Sequence, residues 1–370
     1  MPRSLSDLAS PSLAGLVPYV PGKPIEEVER ELGIANSVKL ASNENPLGPS
    51  PKAVEAARKA LAEVHRYPDG SGHRLRQALA AHWSVAPDQC VLGNGSNELL
   101  ELVGRAFLVP GDEVVYAAQS FVVYEMVAQV TGARKVVVPL REFRHDLAAM
   151  RAAVTARTKL VFLGNPNNPT GTCVGPRELE GFLEGLPGEV VAAVDEAYYE
   201  FMPPELQPDT LQLVRAGRPV LALRTFSKLY GLAGLRIGYG VGPEPLVALL
   251  NKAREPFNTN SVAQAAAEAA LGDVEHAAAT LAVTEAGRKE LTAQFTAMGL
   301  VVIPSVANFL LVDVGRPGPA VADALLPHGV IVRPVAGYGL PTYLRISVGT
   351  AEENARCVAG LRAVLSERPA

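Results

Sequence analysis

Three short apolar runs in this chain each end abruptly in a polar cluster, and that recurrence limits the folds open to it. Leu160-Val161-Phe162-Leu163 leads into Asn165-Pro166-Asn167-Asn168-Pro169-Thr170-Gly171. Val190-Val191-Ala192-Ala193-Val194 leads into Asp195-Glu196-Ala197-Tyr198. Val220-Leu221-Ala222-Leu223 leads into Arg224-Thr225-Phe226-Ser227-Lys228, with Arg236 just beyond. Runs this short, apolar at every position, read as strands covered on both faces, as in a parallel sheet. In an open α/β sheet ligands collect at the carboxyl ends of the strands, where these clusters fall.

The rest of the chain supports that architecture. Between 51 and 65 the apolar positions Val54, Ala57, Leu61 and Val64 share one helical face. Val91-Leu92 precedes a helical stretch at 96–108, and the strand-like 135–138 precedes another at 146–156. Alternation of this kind as far as about 255 predicts a doubly wound, mostly parallel sheet. Around Ser261 the texture changes to an alanine-rich helical region reaching Met298. Strand-like runs follow at 309–314, 330–332 and 343–348, then a last helix from Ala351. A chain of 370 residues exceeds one ordinary core. The expectation is a large domain at 46–258, a smaller α+β domain from 259 to 370, and a proline-broken arm over 1–30.

The clusters also carry chemistry. A lysine among hydroxyls, with a cation beyond, can form a Schiff base with a carbonyl while the hydroxyls and arginine hold a phosphate. Taken singly, each cluster has a plainer meaning: a solvated turn, a helix cap, an Asn-Pro turn. Taken in order, Asn, Asp-x-x-Tyr, Ser-Lys and Arg bring an amide, a carboxylate, a phenol and an amine to one site. Gly93-Asn94-Gly95-Ser96-Asn97-Glu98 follows an apolar run and opens a helix, so its N–H groups form a ready anion seat. Gly238-x-Gly240-x-Gly242 lacks the spacing of a dinucleotide-binding turn. The six histidines show no paired ligand spacing, and no metal is expected.

Composition removes other classes. A net charge of −4 without a clustered Lys/Arg run gives no electrostatic case for nucleic acid. With 48% hydrophobic and 19% charged residues the chain reads as soluble and globular. No apolar run reaches the length of a membrane span. The first thirty residues contain no signal-peptide core, so the cytoplasm is expected. Cys90, Cys173 and Cys357, widely spaced and odd in number, read as buried thiols rather than a disulfide framework.

These motifs resemble the class I/II aminotransferases of pyridoxal-phosphate fold type I. A finer resemblance, to the histidinol-phosphate aminotransferase family, rests on Pro18-Tyr19-Val20-Pro21-Gly22-Lys23-Pro24 and on Lys39-Leu40-Ala41-Ser42-Asn43-Glu44-Asn45-Pro46-Leu47-Gly48. It rests also on Arg66-Tyr67-Pro68-Asp69, on 229–236 and on Leu344-Arg345-Ile346-Ser347-Val348-Gly349-Thr350, and so covers essentially the whole chain. The resemblance implies that residues 31–45 join 259–370 in the small domain, and that the cofactor is pyridoxal phosphate. Lys228 is then the residue that bonds the cofactor and shuttles a proton, Asp195 the partner of the pyridine nitrogen, and Tyr198 and Asn168 donors to the phenolic oxygen. Gly95, Ser96, Asn97, Thr225, Ser227 and Arg236 are implied to hold the phosphate, with Phe121 stacked on the ring. At Asn97 the family often has an acidic residue, so there the backbone carries the expectation.

For substrate, the resemblance implies that Arg345 grips a carboxylate, that Arg333 is a second anion contact, and that Tyr19 and Asn43 lie nearby. Tyr67 is implied to reach the cofactor phosphate of a neighbouring subunit, making the enzyme a homodimer with shared sites. The implied reaction is amino transfer between L-histidinol phosphate and 2-oxoglutarate, in histidine biosynthesis. The alternatives are an aromatic amino-acid aminotransferase and, in another class, a lyase acting on an O-phospho amino acid. A non-enzymatic alternative, the effector domain of a transcription regulator, would need a DNA-binding helix set that the 45-residue proline-rich lead-in is too short to hold.

Overall fold

The structure, a computed structural model, describes residues 5–18 and 22–367. Its centre is a seven-stranded sheet in the order Cys90–Gly93, Gly238–Val241, Val220–Thr225, Val191–Asp195, Thr158–Gly164, Glu113–Ala117, Arg134–Val138. All run in one direction except Gly238–Val241, which is antiparallel to both neighbours. The continuous apolar runs have a simple cause. Val161, Val194 and Ala222 pack into one core, while Leu160, Phe162, Ala193 and Leu223 pack into another on the opposite face. The sheet is thus covered on both sides, and the mostly parallel doubly wound expectation holds.

The smaller domain is a four-stranded antiparallel sheet in the order Arg333–Pro334, Tyr343–Ser347, Phe309–Asp313, Val301–Ile303. Helix Ala351–Ser366 covers it through Cys357, Leu361 and Val364. Val38–Lys39 pairs in parallel with Val330–Ile331, and Leu40 enters the same core, which ties the segment before residue 45 to this domain.

Several expectations shift. The alanine-rich region is two helices, Ser261–Leu271 and Val274–Ala297, broken at Gly272 and Asp273. Asp273 is held there by the Ser50 hydroxyl and by Lys52 at 3.2 Å. Ala263, Ala266, Ala267 and Ala270 belong to the large core, so the boundary expected at 258/259 falls later, near Gly272. The second helix bridges both units, with Ala277 and Leu281 against the large core and Leu291 and Phe295 in the small one. The run expected at 330–332 is a strand only over Val330–Ile331, in the two-stranded sheet with Val38–Lys39. Its continuation Arg333–Pro334 crosses to the four-stranded one.

The helix expected at 51–65 spans Pro51–Leu61, because Leu61 and Val64 are exposed and no core holds a further turn. Likewise the one expected at 146–156 is Leu147–Ala152, capped by the Asp146 side chain. The irregular arm ends at Pro24, which starts helix Ile25–Leu32. Ahead of it, Ser12 Oγ donates to the Val130 carbonyl and Gln129 Nε2 to that of Ala14, so the arm lies along helix Val122–Val130. Cys90 and Cys357 are buried as expected, but Cys173 is only half-buried.

Candidate active site

A cavity of about 720 Å³ opens at the carboxyl ends of the parallel strands, between the two domains. The three polar clusters meet in it. Asn168, Asp195, Tyr198, Thr225, Ser227 and Lys228 all line its wall.

Lys228 follows the Val220–Thr225 strand, and its Nζ donates to the Ser42 carbonyl at 3.0 Å. Burial, with Arg345 and Arg236 nearby, pulls its amine down from the usual 10.5 to about 8. That leaves about a tenth of the amine neutral at pH 7, some hundreds of times the share of an ordinary lysine, and the neutral form is the nucleophile. Asp195 is the last residue of the Val191–Asp195 strand and is 6% exposed. Its Oδ2 accepts from Tyr124 Oη at 2.9 Å and its Oδ1 from the Ala197 N–H at 3.2 Å. Burial still pushes the carboxyl up to about 6, against those bonds. Asp195 therefore gains from a cationic partner.

Tyr124 escaped the sequence reading. It sits in the first turn of helix Val122–Val130, stacked on Phe162 at 4.9 Å and edge-on to Phe121 at 5.9 Å. The available signal was spacing: Phe121 and Tyr124 lie three apart at a helix start and so share a face. Ser42, whose carbonyl receives Lys228, was also missed, as was Tyr338 on the cavity wall.

At one end, Gly95 (φ +79°) turns the chain into helix Ser96–Phe107, whose leading N–H groups have no partner within the helix. Arg236, itself at φ +56°, packs so closely that a Cβ on Gly95 would lie 2.6 Å from its Nη2. Gly238 has a matching reason: a Cβ there would fall 2.5 Å from the Ser96 nitrogen. Gly238 therefore makes room for this turn. Ser96, Asn97, Thr225, Ser227 and Arg236 face the cavity here. The dipole end of the helix, three hydroxyls and a guanidinium make a seat suited to an anion.

At the other end, Arg345 and Arg333 are directly opposite on neighbouring antiparallel strands, and both line the cavity. Like charges so placed repel, and an anion between them relieves the repulsion. Arg345 is 7% exposed and donates from Nη1 to Asn168 Oδ1 at 2.6 Å and from Nη2 to the Ala41 carbonyl at 2.7 Å. Its buried Nε has no partner among the described residues.

Asn43 lines the cavity but spends its polar groups elsewhere. Its Nδ2 donates to Tyr198 Oη at 2.9 Å, and its Oδ1 accepts from Ser347 Oγ at 3.0 Å. Burial pushes Tyr198 up to about 12, so its hydroxyl remains a donor at neutral pH. Phe121 lies on the wall beside Tyr124. Tyr67 is not brought into this cavity: it is 84% exposed and stacks on Phe257 at 4.9 Å. Tyr19 lies outside the described residues.

Among the described residues no helix is long and apolar enough to cross a membrane, and no three His, Cys, Asp or Glu side chains gather as a metal site. The profile of the aminotransferase class I and II family matches residues 35–361. Histidinol-phosphate aminotransferase 1 of Nitrosococcus oceani is 51% identical over 360 residues, covering 97% of each chain. Histidinol-phosphate aminotransferase of an Anaeromyxobacter species is 51% identical over 97% of this chain and 99% of its own. The crystal structure of histidinol-phosphate aminotransferase from Sinorhizobium meliloti, in complex with pyridoxal-5'-phosphate, superposes with a TM-score of 0.89. Its sequence identity is 32%, over 96% of this chain and 97% of that one.

Proposed function

The chain belongs to the histidinol-phosphate aminotransferases of the class I and II aminotransferase family, and from that premise we propose that it transfers the amino group of L-histidinol phosphate to 2-oxoglutarate. The products are imidazole acetol phosphate and L-glutamate, and the step belongs to histidine biosynthesis. The observation that carries the substrate reading is the opposed pair Arg333 and Arg345 in the same cavity as Lys228. An enzyme that accepts a phosphate monoester and a dicarboxylate in turn needs cationic capacity at that end.

The residues present fit pyridoxal phosphate on their donor chemistry. A seat rich in N–H and hydroxyl donors suits its phosphate, a buried carboxylate suits a protonated ring nitrogen, and an amine with a lowered proton affinity suits its aldehyde. Held there, the cofactor supplies an electron-withdrawing ring that accepts the electrons of the substrate Cα–H bond. Lys228 Nζ is the amine that would hold the aldehyde covalently and would move the proton at the substrate Cα. Asp195 would keep the proton on the ring nitrogen, and Tyr124 and Ala197 hold that carboxylate in place. Tyr198, oriented by Asn43, and Asn168 hold the phenolic oxygen. Gly95, Ser96, Asn97, Thr225, Ser227 and Arg236 would bind the phosphate, and Phe121 would pack against the ring. Arg345 binds the carboxylate of 2-oxoglutarate, with Arg333 as the second anion contact.

We further infer a homodimer in the cytoplasm, with Tyr67 completing the partner's phosphate seat. Leu61, Val64, Tyr67 and Phe257 are apolar and exposed on one chain, which supports a covering partner.

A second reading has its own observation. Val123, Met126, Val127 and Val130 give one wall of the cavity an apolar surface, which would also suit an aromatic amino acid. Mixing the cofactor-loaded protein separately with L-histidinol phosphate and L-phenylalanine decides between them. The proposal expects rapid loss of the cofactor's aldehyde-form absorbance with the phosphate ester and slow loss with phenylalanine. The reverse order would make the protein an aromatic aminotransferase.

A further inference from the structure

Behind the same two strand ends lies a buried charge cluster with no part in the chemistry above. Arg224 and Glu196 have side chains only 1% and 0% exposed. Arg224 Nε and Nη2 both donate to Glu196 Oε2, each at 2.8 Å. The guanidinium is sandwiched between two rings, 3.7 Å from the Trp83 centroid and 3.9 Å from that of Tyr199. Thr210 donates its hydroxyl to the other Glu196 oxygen, and Trp83 Nε1 donates to Tyr239 Oη at 2.9 Å.

Stability alone does not explain this arrangement. A buried ion pair loses so much hydration that apolar residues of similar size often replace it at no cost. Its location supplies another reason. The ladder between strands Val191–Asp195 and Val220–Thr225 ends with Asp195 opposite Leu223, and the Glu196 N–H then bonds the Leu223 carbonyl at 2.8 Å. Beyond that rung the chains diverge, one towards Tyr198 and the other towards Lys228. The fork from Arg224 to Glu196 is the next link between them. Residue 196 directly follows Asp195, and residue 224 directly precedes Thr225.

We propose that Arg224 and Glu196 are positioning residues, a side-chain rung that sets the distance between Asp195 and the Thr225–Lys228 turn. The inference rests on the reading of the cavity face as the cofactor and substrate site. The pair has an electrostatic consequence there as well: the Glu196 carboxylate disfavours ionisation of Asp195, and Arg224 neutralises that field at its source. The aromatic walls fix the guanidinium plane, so the fork cannot rotate away from Glu196.

The test is the double variant Arg224→Met with Glu196→Gln, which removes both charges and leaves Thr210 an acceptor. Melting temperature, binding of added pyridoxal phosphate to the cofactor-free protein by equilibrium dialysis, and steady-state constants are compared with the parent. Because displacements near 1 Å can cost about 100-fold, the double variant should lose about 30-fold in kcat and about 10-fold in cofactor affinity. Both KM values should stay within about twofold, and the melting temperature within a few degrees. The chain has one tryptophan, Trp83, so its emission reports directly that the sandwich has been altered. Parent-like affinity and kcat in a folded double variant would overturn the proposal. If the double variant does not fold, Thr210→Val decides: it removes one bond to Glu196 and should weaken cofactor affinity about threefold. Unchanged affinity there would overturn the positioning role. A parent that binds the cofactor but lacks turnover would instead count against the reaction, leaving the affinity comparison to judge the pair.

Discussion

On the cavity face of the Val191–Asp195 and Val220–Thr225 strand ends, Asp195 is buried and Lys228 half-buried, with their charges poorly compensated. The carboxyl is pushed up to about 6 and the amine pulled down to about 8. On the opposite face, Glu196, one residue after Asp195, and Arg224, one residue before Thr225, are more deeply buried. A two-bond fork between aromatic walls joins them, with Arg224 Nη1 alone of the guanidinium nitrogens lacking a hydrogen-bond partner among the described residues. The two faces share strands and charge types. They differ in whether the protein completes the pairing itself. Where it does, charge serves as scaffold. Where it does not, two ionisable groups remain ready for a ligand that brings the missing partners.

The comparison breaks most sharply at Lys228. Lys228→Ala should cut transamination by at least about 10³-fold in steady-state assays, since covalent and proton-transfer roles are lost together. Next is Asp195→Asn, which should cost about 10²-fold or more in kcat yet stabilise the cofactor-free protein. The sign follows from the raised carboxyl. The folded protein binds this proton more tightly than the unfolded chain, whose value is near 3.8. Ionisation therefore costs stability increasingly from about pH 4 to pH 6, and fully above that. Thermal melts should show Asn ahead by about 2 to 3 kcal/mol at pH 8, the difference vanishing at pH 3.5. A less stable Asn variant at pH 8 would show that Asp195 is compensated after all.

Arg345→Ala should lower kcat/KM for 2-oxoglutarate by about 10²-fold, the worth of a charge-assisted fork, and an unchanged KM would remove its assigned role. The smallest effect sharpens the comparison. Tyr124→Phe deletes one neutral donor to Asp195 and should cost about 1 kcal/mol, near fivefold in cofactor affinity by titration.

How much of this could be read from the chain depends on distance along it. The strand-end clusters were legible because each sets polar residues directly after an apolar run. Asp195, Lys228 and Asn168 therefore announced one site. Arg345 and Arg333 needed the resemblance, since nothing local distinguishes a ligand-binding arginine beside a strand from a surface one. Tyr124 was hidden in an apolar helix, where a phenol reads as core until its partner 71 residues away is known. The fork from Arg224 to Glu196 spans 28 residues, and no periodicity forecasts it. Asn43 was placed near the site, but only the fold shows its amide turned to Tyr198. The domain boundary slipped because alanines read equally well as either domain's helix, and Gly272 with Asp273 marks the break only once the cores are known.

The central claim is that the under-compensated face is the cofactor's seat, with Lys228 as its covalent anchor. Borohydride reduction of the protein with bound pyridoxal phosphate, followed by peptide mass mapping, tests this most directly. The account predicts one reduced pyridoxyl label per chain, on Lys228. A label on another lysine, or none at saturating cofactor, would contradict it.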